Sequence, residues 1–84
     1  MAKIEIFTTS TCPFCFAAKN LLEKKNVNYE ETLVLNPEKR AEMTQRTKGR
    51  SSVPQIFIDD FHVGGFDDLV ELDQAGKLDP LLAQ

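Results

Sequence analysis

The two cysteines of this chain lie within one short motif, Cys12-Pro13-Phe14-Cys15, where a strand-like stretch gives way to a helix-like one. Two sulfurs this close in sequence cannot join distant parts of a fold, and a framework of structural disulfides needs several well-spaced cysteines. The motif is therefore interpreted as a redox pair or as part of a metal site. Both interpretations place chemistry, rather than cross-linking, at a helix start.

Pro13 predicts where this helix begins. Proline at the first helical position sacrifices no hydrogen bond and already has a helical φ, so Cys12 becomes the N-cap. The free N–H groups and the dipole at that end of a helix stabilise a thiolate. Cys15 lies about one turn further in, on the same side but more shielded. We therefore predict Cys12 as the nucleophile and Cys15 as the resolving thiol, with Thr9, Thr11 and Pro13 supporting the site.

The length and composition predict one globular domain spanning residues 1–84. Hydrophobic residues make up 42% of the chain and charged residues 27%, which argues against long disorder. The N-terminal stretch carries charges where a secretory signal needs an apolar run, and no 18 apolar residues follow one another. We expect a cytoplasmic protein without a membrane segment, in a compartment where a close cysteine pair is more often catalytic or metal-binding than structural.

The charge is unevenly distributed along the chain. The net charge of −3 argues against a general affinity for nucleic acid. Between Glu38 and Arg50 there are five basic residues and two acidic ones, whereas the stretch from Asp59 to Asp79 has seven acidic residues and Lys77. The two regions are either oppositely charged solvated faces or the flanks of a site for a small zwitterionic ligand.

Hydrophobic periodicity and turn residues predict four strands and four helices in the order β-α-β-α-β-β-α-α. The first β-α-β unit should have parallel strands and the last two strands should form an antiparallel hairpin. These units predict an α/β fold with a four-stranded mixed sheet and helices on both faces. The predicted strands are 3–8, 27–35, 55–58 and 61–63, and the predicted helices are 13–25, 37–47, one from Asp67 or Asp68 to Gly76, and 81–83. The predicted core consists of Ile4, Ile6, Leu22, Val34, Ile56, Ile58, Leu69 and Leu72.

Three motifs occur in a fixed order along the chain: Thr11-Cys12-Pro13-Phe14-Cys15, Ser52-Val53-Pro54 and Gly64-Gly65-Phe66-Asp67-Asp68. In these motifs the chain resembles the glutaredoxins, most closely the small bacterial dithiol glutaredoxins, over essentially its whole length. The resemblance implies a thioredoxin-like fold and the reduction of protein disulfides and glutathione mixed disulfides, with glutathione as electron donor and no metal. It also implies a monomer whose partners are disulfide-containing or glutathionylated proteins, ribonucleotide reductase among them.

The same resemblance assigns a glutathione groove. It implies a cis Val53–Pro54 bond that faces the cysteines and exposes the backbone of Val53 to an extended cysteinyl peptide. The helix start after Gly65 offers N–H groups to a carboxylate, beside an aspartate that can accept from an ammonium group. The basic region that ends at Arg50 would then face the glycyl carboxylate. The predicted glutathione-binding residues are Phe14, Arg50, Ser52, Val53, Pro54, Gly65, Phe66, Asp67 and Asp68.

The chain departs from the pattern of many relatives at four positions. Many relatives carry lysine at the position of Thr9 in this chain, tyrosine at Phe14, threonine at Ser52 and a third cysteine at Phe66. The change at Thr9 has the clearest consequence. Without a nearby ammonium group, stabilisation of the Cys12 thiolate rests on the helix N-terminus and on hydrogen bonds, so we expect a smaller thiolate fraction than in lysine-bearing relatives.

Three other interpretations remain open at this point. A structural zinc site needs four ligands, and His62 is the one histidine left to help; we predict His62 as a strand side chain at the sheet edge. A redoxin reduced by thioredoxin reductase would share the fold and the motif. A glutathione-ligated dimer could hold a [2Fe–2S] cluster with one cysteine from each chain, although Pro13 and the ready Cys12–Cys15 disulfide resemble reductases rather than cluster carriers.

Overall fold

The structure, a computed structural model, describes residues 2–83. Within them the strands and helices follow one another in the predicted order. Their bounds are β1 (Ile4–Thr8), α1 (Pro13–Lys24), β2 (Glu30–Leu33), α2 (Pro37–Arg46), β3 (Gln55–Ile58), β4 (Phe61–Gly64), α3 (Phe66–Gln74) and α4 (Leu78–Leu82). None of the helices in this part of the chain has the length and hydrophobicity that a membrane span requires.

The four strands form one mixed sheet in the order β2-β1-β3-β4. β1 and β2 are parallel, whereas β3 runs antiparallel to both β1 and β4. Phe7 near the end of β1 pairs with Gln55 at the start of β3. Because these two strands are antiparallel, the loop after β1 and the loop before β3 meet at the same end of the sheet. The Cys12 motif and the Ser52-Val53-Pro54 segment are thereby brought together.

Two hydrophobic clusters lie on opposite faces of the sheet, as expected from the alternation of side chains along a strand. The larger cluster joins Ile4 and Ile6 of β1 to the helices α1, α3 and α4, and the smaller joins Phe7 of β1 to Met43 of α2. The predicted mixed sheet with helices on both faces is therefore confirmed. The buried members of the larger cluster are Ile4, Ile6, Ala18, Leu22, Ile56, Ile58, Val63, Leu69, Leu78 and Leu82, and those of the smaller are Phe7, Val34, Met43 and Phe57.

Two helices begin where the sequence predicts. Cys12 is the N-cap of α1, with extended φ and ψ of −95° and 111°, and Pro13 is the first helical residue. Asn36 caps α2 because its Oδ1 accepts the backbone N–H of Lys39 at 2.8 Å, and Pro37 follows it. In both cases the proline fixes the helical φ at the one position where its missing N–H costs nothing.

The largest differences from the predicted boundaries are in β2, α3 and α4. β2 is shorter, because only Glu30–Leu33 pair with β1. α3 begins at Phe66 with Gly65 as N-cap rather than with an aspartate cap. α4 begins at Leu78 rather than 81, because this leucine is fully buried in the larger cluster. Leu72, predicted as core, is only partly buried at its edge.

Candidate active site

The two cysteines occupy different environments at the start of α1. Both are free thiols; Cys12 is half-buried and Cys15 is 1% exposed. The backbone N–H of Cys15 donates to Cys12 Sγ across 3.2 Å. Because sulfur at the N-cap accepts a main-chain N–H, negative charge on Cys12 is stabilised by the helix end itself. The structure thus has the arrangement of an accessible sulfur and a shielded one that the motif predicts.

Cys15 cannot act as the first nucleophile at neutral pH. Burial raises the pKa of the Cys15 thiol to about 12, and its hydrogen bond with Cys12 acts in the same direction. A backbone hydrogen bond from Thr9 and the charge of Lys19 oppose the shift without cancelling it. Because thiolate, not thiol, attacks a disulfide, the first attack falls to Cys12.

The Ser52-Val53-Pro54 segment forms one side of the site. The Val53–Pro54 peptide bond is cis, as the family resemblance implies. The Cys12 thiol donates to the carbonyl oxygen of Val53 across 3.7 Å. Ser52 is exposed, Val53 is half-buried and Pro54 is buried. The backbone of Val53 therefore lies directly beside the candidate nucleophile.

The start of α3 forms the other side of the site. A β-carbon placed on Gly65 would lie 3.5 Å from the carbonyl oxygen of Pro54, so this helix end and the proline loop are neighbours. Gly64 has a φ of +113°, and a side chain there would also collide with the carboxylate of Asp68, so only glycine fits. Asp68 Oδ2 accepts the N–H of Gly65 at 2.9 Å, whereas Asp67 is exposed.

Arg50 lies beside Asp68. The sequence predicts that the basic region ending at Arg50 faces the glycyl carboxylate of glutathione. In the structure Arg50 Nη1 lies 3.6 Å from Asp68 Oδ2, and its other terminal nitrogen faces Gly65. Lys48 and Gly49, both with positive φ, turn the chain after α2 and direct Arg50 toward the start of α3. The basic and acidic regions of the sequence thus meet here as one ion pair.

An aromatic pair borders the same site. The ring of Phe14 is 61% exposed and stacks on Phe66, with 6.2 Å between centroids and 30° between planes. The pair joins the start of α1 to the start of α3 and forms an apolar surface there. Thr9 is half-buried directly after β1, and Thr11 is exposed in the turn before Cys12.

Known proteins share both the sequence and the fold of this chain. The glutaredoxin family matches residues 4–63. A probable glutaredoxin of Synechocystis sp. is 56% identical over 82 residues, covering 96% of this chain and 93% of the relative. Glutaredoxin 3 of Escherichia coli K12 is 54% identical over 83 residues, covering 98% and 99% of the two chains. The chain belongs to the glutaredoxin family. It is therefore a thiol-disulfide oxidoreductase.

A solved structure supports the same assignment. A buckwheat glutaredoxin in complex with glutathione superposes with a TM-score of 0.87 at 27% identity, covering 98% of this glutaredoxin and 77% of the buckwheat chain. The thioredoxin-like fold is thus shown. In this glutaredoxin, no group of three or more His, Cys, Asp or Glu side chains that could hold a metal ion lies within residues 2–83.

The sequence did not predict a polar pair, a buried glutamine and a half-buried histidine, that this glutaredoxin contains. The Gln55 side chain is fully buried, and its Nε2 donates to the carbonyl oxygen of Ser52 at 3.0 Å. Its Oε1 lies 2.7 Å from Nε2 of His62, whose ring stacks on Phe57. The available signal was a glutamine placed directly after Pro54 at the head of an otherwise apolar strand.

A second missed group lies beside Cys15. The buried hydroxyl of Thr8 donates to Glu31 Oε2 at 2.6 Å, and Lys19 Nζ lies 2.9 Å from the same oxygen. The hydrogen bond from Thr8 and then that from Lys19 lower the pKa of Glu31. No function was predicted for these residues from the sequence, because their partners are distant in sequence. The pair fixes a positive charge near the buried thiol.

Proposed function

We propose that this glutaredoxin draws its electrons from glutathione and reduces both glutathione mixed disulfides and protein disulfides. The observation that carries the proposal is the position of Cys12 beside the Val53 backbone, a surface suited to a cysteinyl tripeptide. On one side lies the Val53 carbonyl at 3.7 Å, and the neighbouring helix start at Gly65 adjoins the proline loop. The buckwheat relative of the same fold forms a complex with glutathione, which supports the proposal.

The two ends of glutathione match the groups at this site. The backbone of Val53 pairs with the cysteinyl residue as an added strand would. The N–H groups at the start of α3 bind the α-carboxylate of the γ-glutamyl residue. Asp68 or Asp67 accepts a hydrogen bond from the ammonium group of the same residue. On binding, the Arg50–Asp68 pair is shared with the ligand, so that Arg50 offers its free donors to a glutathione carboxylate. The stacked rings of Phe14 and Phe66 provide an apolar surface near the sulfur.

The proposed reaction is a pair of thiol-disulfide exchanges. The Cys12 thiolate attacks the glutathione sulfur of a mixed disulfide; the old S–S bond breaks, the substrate leaves as a thiolate and takes a proton, and Cys12 carries glutathione. The thiolate of a second glutathione then attacks that sulfur. Glutathione disulfide leaves, and Cys12 is restored as the thiolate. This cycle uses only one cysteine of the protein.

Protein disulfides require the second cysteine. Cys12 attacks one sulfur of the client, and Cys15 then displaces the reduced client and closes a Cys12–Cys15 disulfide, which two glutathiones reopen. Ribonucleotide reductase is a proposed client on the basis of the family resemblance alone. The same proposal places the protein in the cytoplasm, where reduced glutathione is available, and treats it as a monomer.

The deciding experiment is turnover of the mixed disulfide of glutathione and 2-mercaptoethanol with glutathione, glutathione reductase and NADPH. The matched control replaces glutathione and its reductase by thioredoxin reductase. Activity by the glutathione route that disappears in Cys12→Ser supports the proposal. Turnover with thioredoxin reductase alone would favour the alternative interpretation, a redoxin that thioredoxin reductase reduces. Anaerobic reconstitution that yields a stable, stoichiometric [2Fe–2S] cluster would favour the cluster scaffold.

A further inference from the structure

A chain of hydrogen bonds leads from the sheet to the loop that faces the nucleophile. Gln55, fully buried at the start of β3, donates from Nε2 to the Ser52 carbonyl at 3.0 Å and reaches the Ser52 hydroxyl at 3.3 Å. Its Oε1 lies 2.7 Å from Nε2 of His62. Ser52 precedes Val53, whose carbonyl accepts from Cys12. Two side chains remote from the cysteines in sequence are thus connected to the surface beside the sulfur.

The direction of these bonds follows from the chemistry of the partners. The carbonyl of Ser52 can only accept, so the amide nitrogen of Gln55 faces it and the amide oxygen faces His62. Nε2 of His62 must therefore carry a proton and donate. Burial, with the charges of Arg50 and Arg46, lowers the pKa of His62 against the opposing charge of Asp68, so the ring is neutral at pH 7. Protonation adds a proton at Nδ1 and leaves this donor in place.

The orientation of the His62 ring is also fixed. It stacks on Phe57, with 4.8 Å between centroids and 22° between planes, and the guanidinium of Arg46 lies 4.1 Å from the centroid of the same phenylalanine ring. A ring held this way has little freedom to turn its Nε2 away from Gln55. A buried amide whose oxygen is fixed keeps its two N–H donors directed at Ser52, because a flipped amide would leave a donor facing a donor.

We infer that Gln55, oriented by His62, is a positioning residue that holds the Ser52-Val53 backbone against Cys12 and thereby sets the affinity for the glutathione part of a mixed disulfide. The inference rests on the proposed function for its ligand. Neither side chain touches the reacting sulfurs. Their effect is on binding, which is common to the ground state and the transition state, so loss of the hydrogen bonds raises KM and leaves kcat unchanged.

Two variants of His62 separate the hydrogen bond from the packing. His62→Phe keeps a ring on Phe57 and removes the donor, whereas His62→Gln keeps an N–H donor and removes the ring. For the mixed disulfide of glutathione and 2-mercaptoethanol, we expect His62→Phe to raise KM by about 3- to 10-fold, the effect of leaving one buried acceptor unpaired. His62→Gln should stay within about 2-fold of the unaltered protein. A packing role predicts the reverse order, and that result would overturn the inference.

Gln55→Met provides an independent variant, because it removes every bond of the amide at nearly constant volume. Its KM should rise at least as much as that of His62→Phe, with kcat unchanged. Thermal unfolding shows whether Gln55→Met folds. If it does not, the two His62 variants still test the inference, because His62 is only half-buried. Unchanged KM in His62→Phe overturns the positioning role alone. An unaltered protein that fails to turn over the glutathione substrate overturns the proposed function, and the glutathione part of this inference with it.

Discussion

The backbone N–H of Cys15 points at the sulfur of Cys12, with 3.2 Å between the two atoms, while the thiol of Cys15 itself is buried. The residue that resolves an intermediate thus also stabilises the nucleophile, and it does so through its main chain. Replacement of the Cys15 side chain leaves that N–H in place. The two contributions of Cys15 can therefore be separated by substitution.

Cys15→Ser should retain reduction of glutathione mixed disulfides and lose reduction of protein disulfides. The first reaction needs only the Cys12 sulfur and its N–H donor, whereas the second needs a thiol to displace the client. Coupled assays with glutathione reductase, run on a small mixed disulfide and on a disulfide-containing protein, measure both. Cys12→Ser is the control and should lose both activities; residual activity of that variant in either assay would contradict the roles assigned here.

Alkylation should distinguish the two thiols. Because burial raises the pKa of Cys15 to about 12, that thiol is protonated at neutral pH and is also shielded from reagents. Brief treatment of the reduced protein with iodoacetamide should give a single adduct, located on Cys12 by peptide mass spectrometry. In denaturant both cysteines should react. Equal labelling of the two in the native protein would contradict the described environments.

Thr9→Lys should increase the thiolate fraction of Cys12. This substitution places an ammonium group three residues before the nucleophile, and a nearby positive charge favours the thiolate over the thiol. Ultraviolet absorbance of the thiolate, followed against pH in the Cys15→Ser background, should move to lower pH. Thr9→Gln has a side chain of similar length without the charge and should leave the titration curve unchanged. A curve that Thr9→Lys also leaves unchanged would contradict an effect of residue 9 on the Cys12 thiolate.

Asp68→Asn should weaken glutathione binding more than Asp67→Asn. Asp68 accepts the N–H of Gly65 and pairs with Arg50, whereas Asp67 is exposed. Asparagine keeps an oxygen for Gly65 but loses the charge that attracts the ammonium group. We expect KM for the mixed disulfide to rise about 10-fold for Asp68→Asn, as for a lost charge-assisted hydrogen bond. Equal effects of the two variants would show that the ammonium group binds elsewhere.

Glu31→Gln should lower stability at neutral pH by about 1 kcal/mol, the scale of a charge-assisted hydrogen bond with partial exposure. The folded-state pKa of Glu31 lies below its usual 4.5, so the unfolded chain takes up its proton first on acidification. The stabilisation is therefore full above pH 4.5 and is lost as the pH falls through the folded-state pKa. Urea unfolding should show that the difference in free energy of unfolding between the unaltered protein and Glu31→Gln is smaller at acid pH than at neutral pH. Glu30→Gln, which removes a more exposed pair with Lys3, is the control and should change little.

Local rules account for what the sequence predicts well. Pro13 and Pro37 fix the starts of their helices through their own φ, and the cap residues before them complete the signal. The alternation of Ile4 and Ile6 places β1 without knowledge of its neighbours. The family motifs add the cis Val53–Pro54 bond, which would not be predicted without them because most X–Pro bonds in folded proteins are trans.

The misses depend on contacts between side chains and backbone that rules for single positions do not describe. The helix α3 starts at Phe66 because the carboxylate of Asp68 reaches back to Gly65, which a cap rule based on side chains at the first position does not show. The placement of Arg50 beside Asp68 depends on how two loops meet. The bond between Gln55 and His62 joins β3 to β4, so the glutamine after Pro54 indicates a polar contact but does not identify its partner.

The ring of Phe66, stacked on Phe14, limits the number of disulfides that the protein can form. Where many relatives carry a further cysteine, this chain has an apolar ring, and its two sulfhydryls are those of Cys12 and Cys15. One intramolecular disulfide is then the only one it can form, and a single midpoint potential describes it. An equilibrium titration against a dithiothreitol buffer, which does not leave a stable mixed disulfide on Cys12, should follow one two-electron Nernst curve, without the side equilibria that a third sulfur creates.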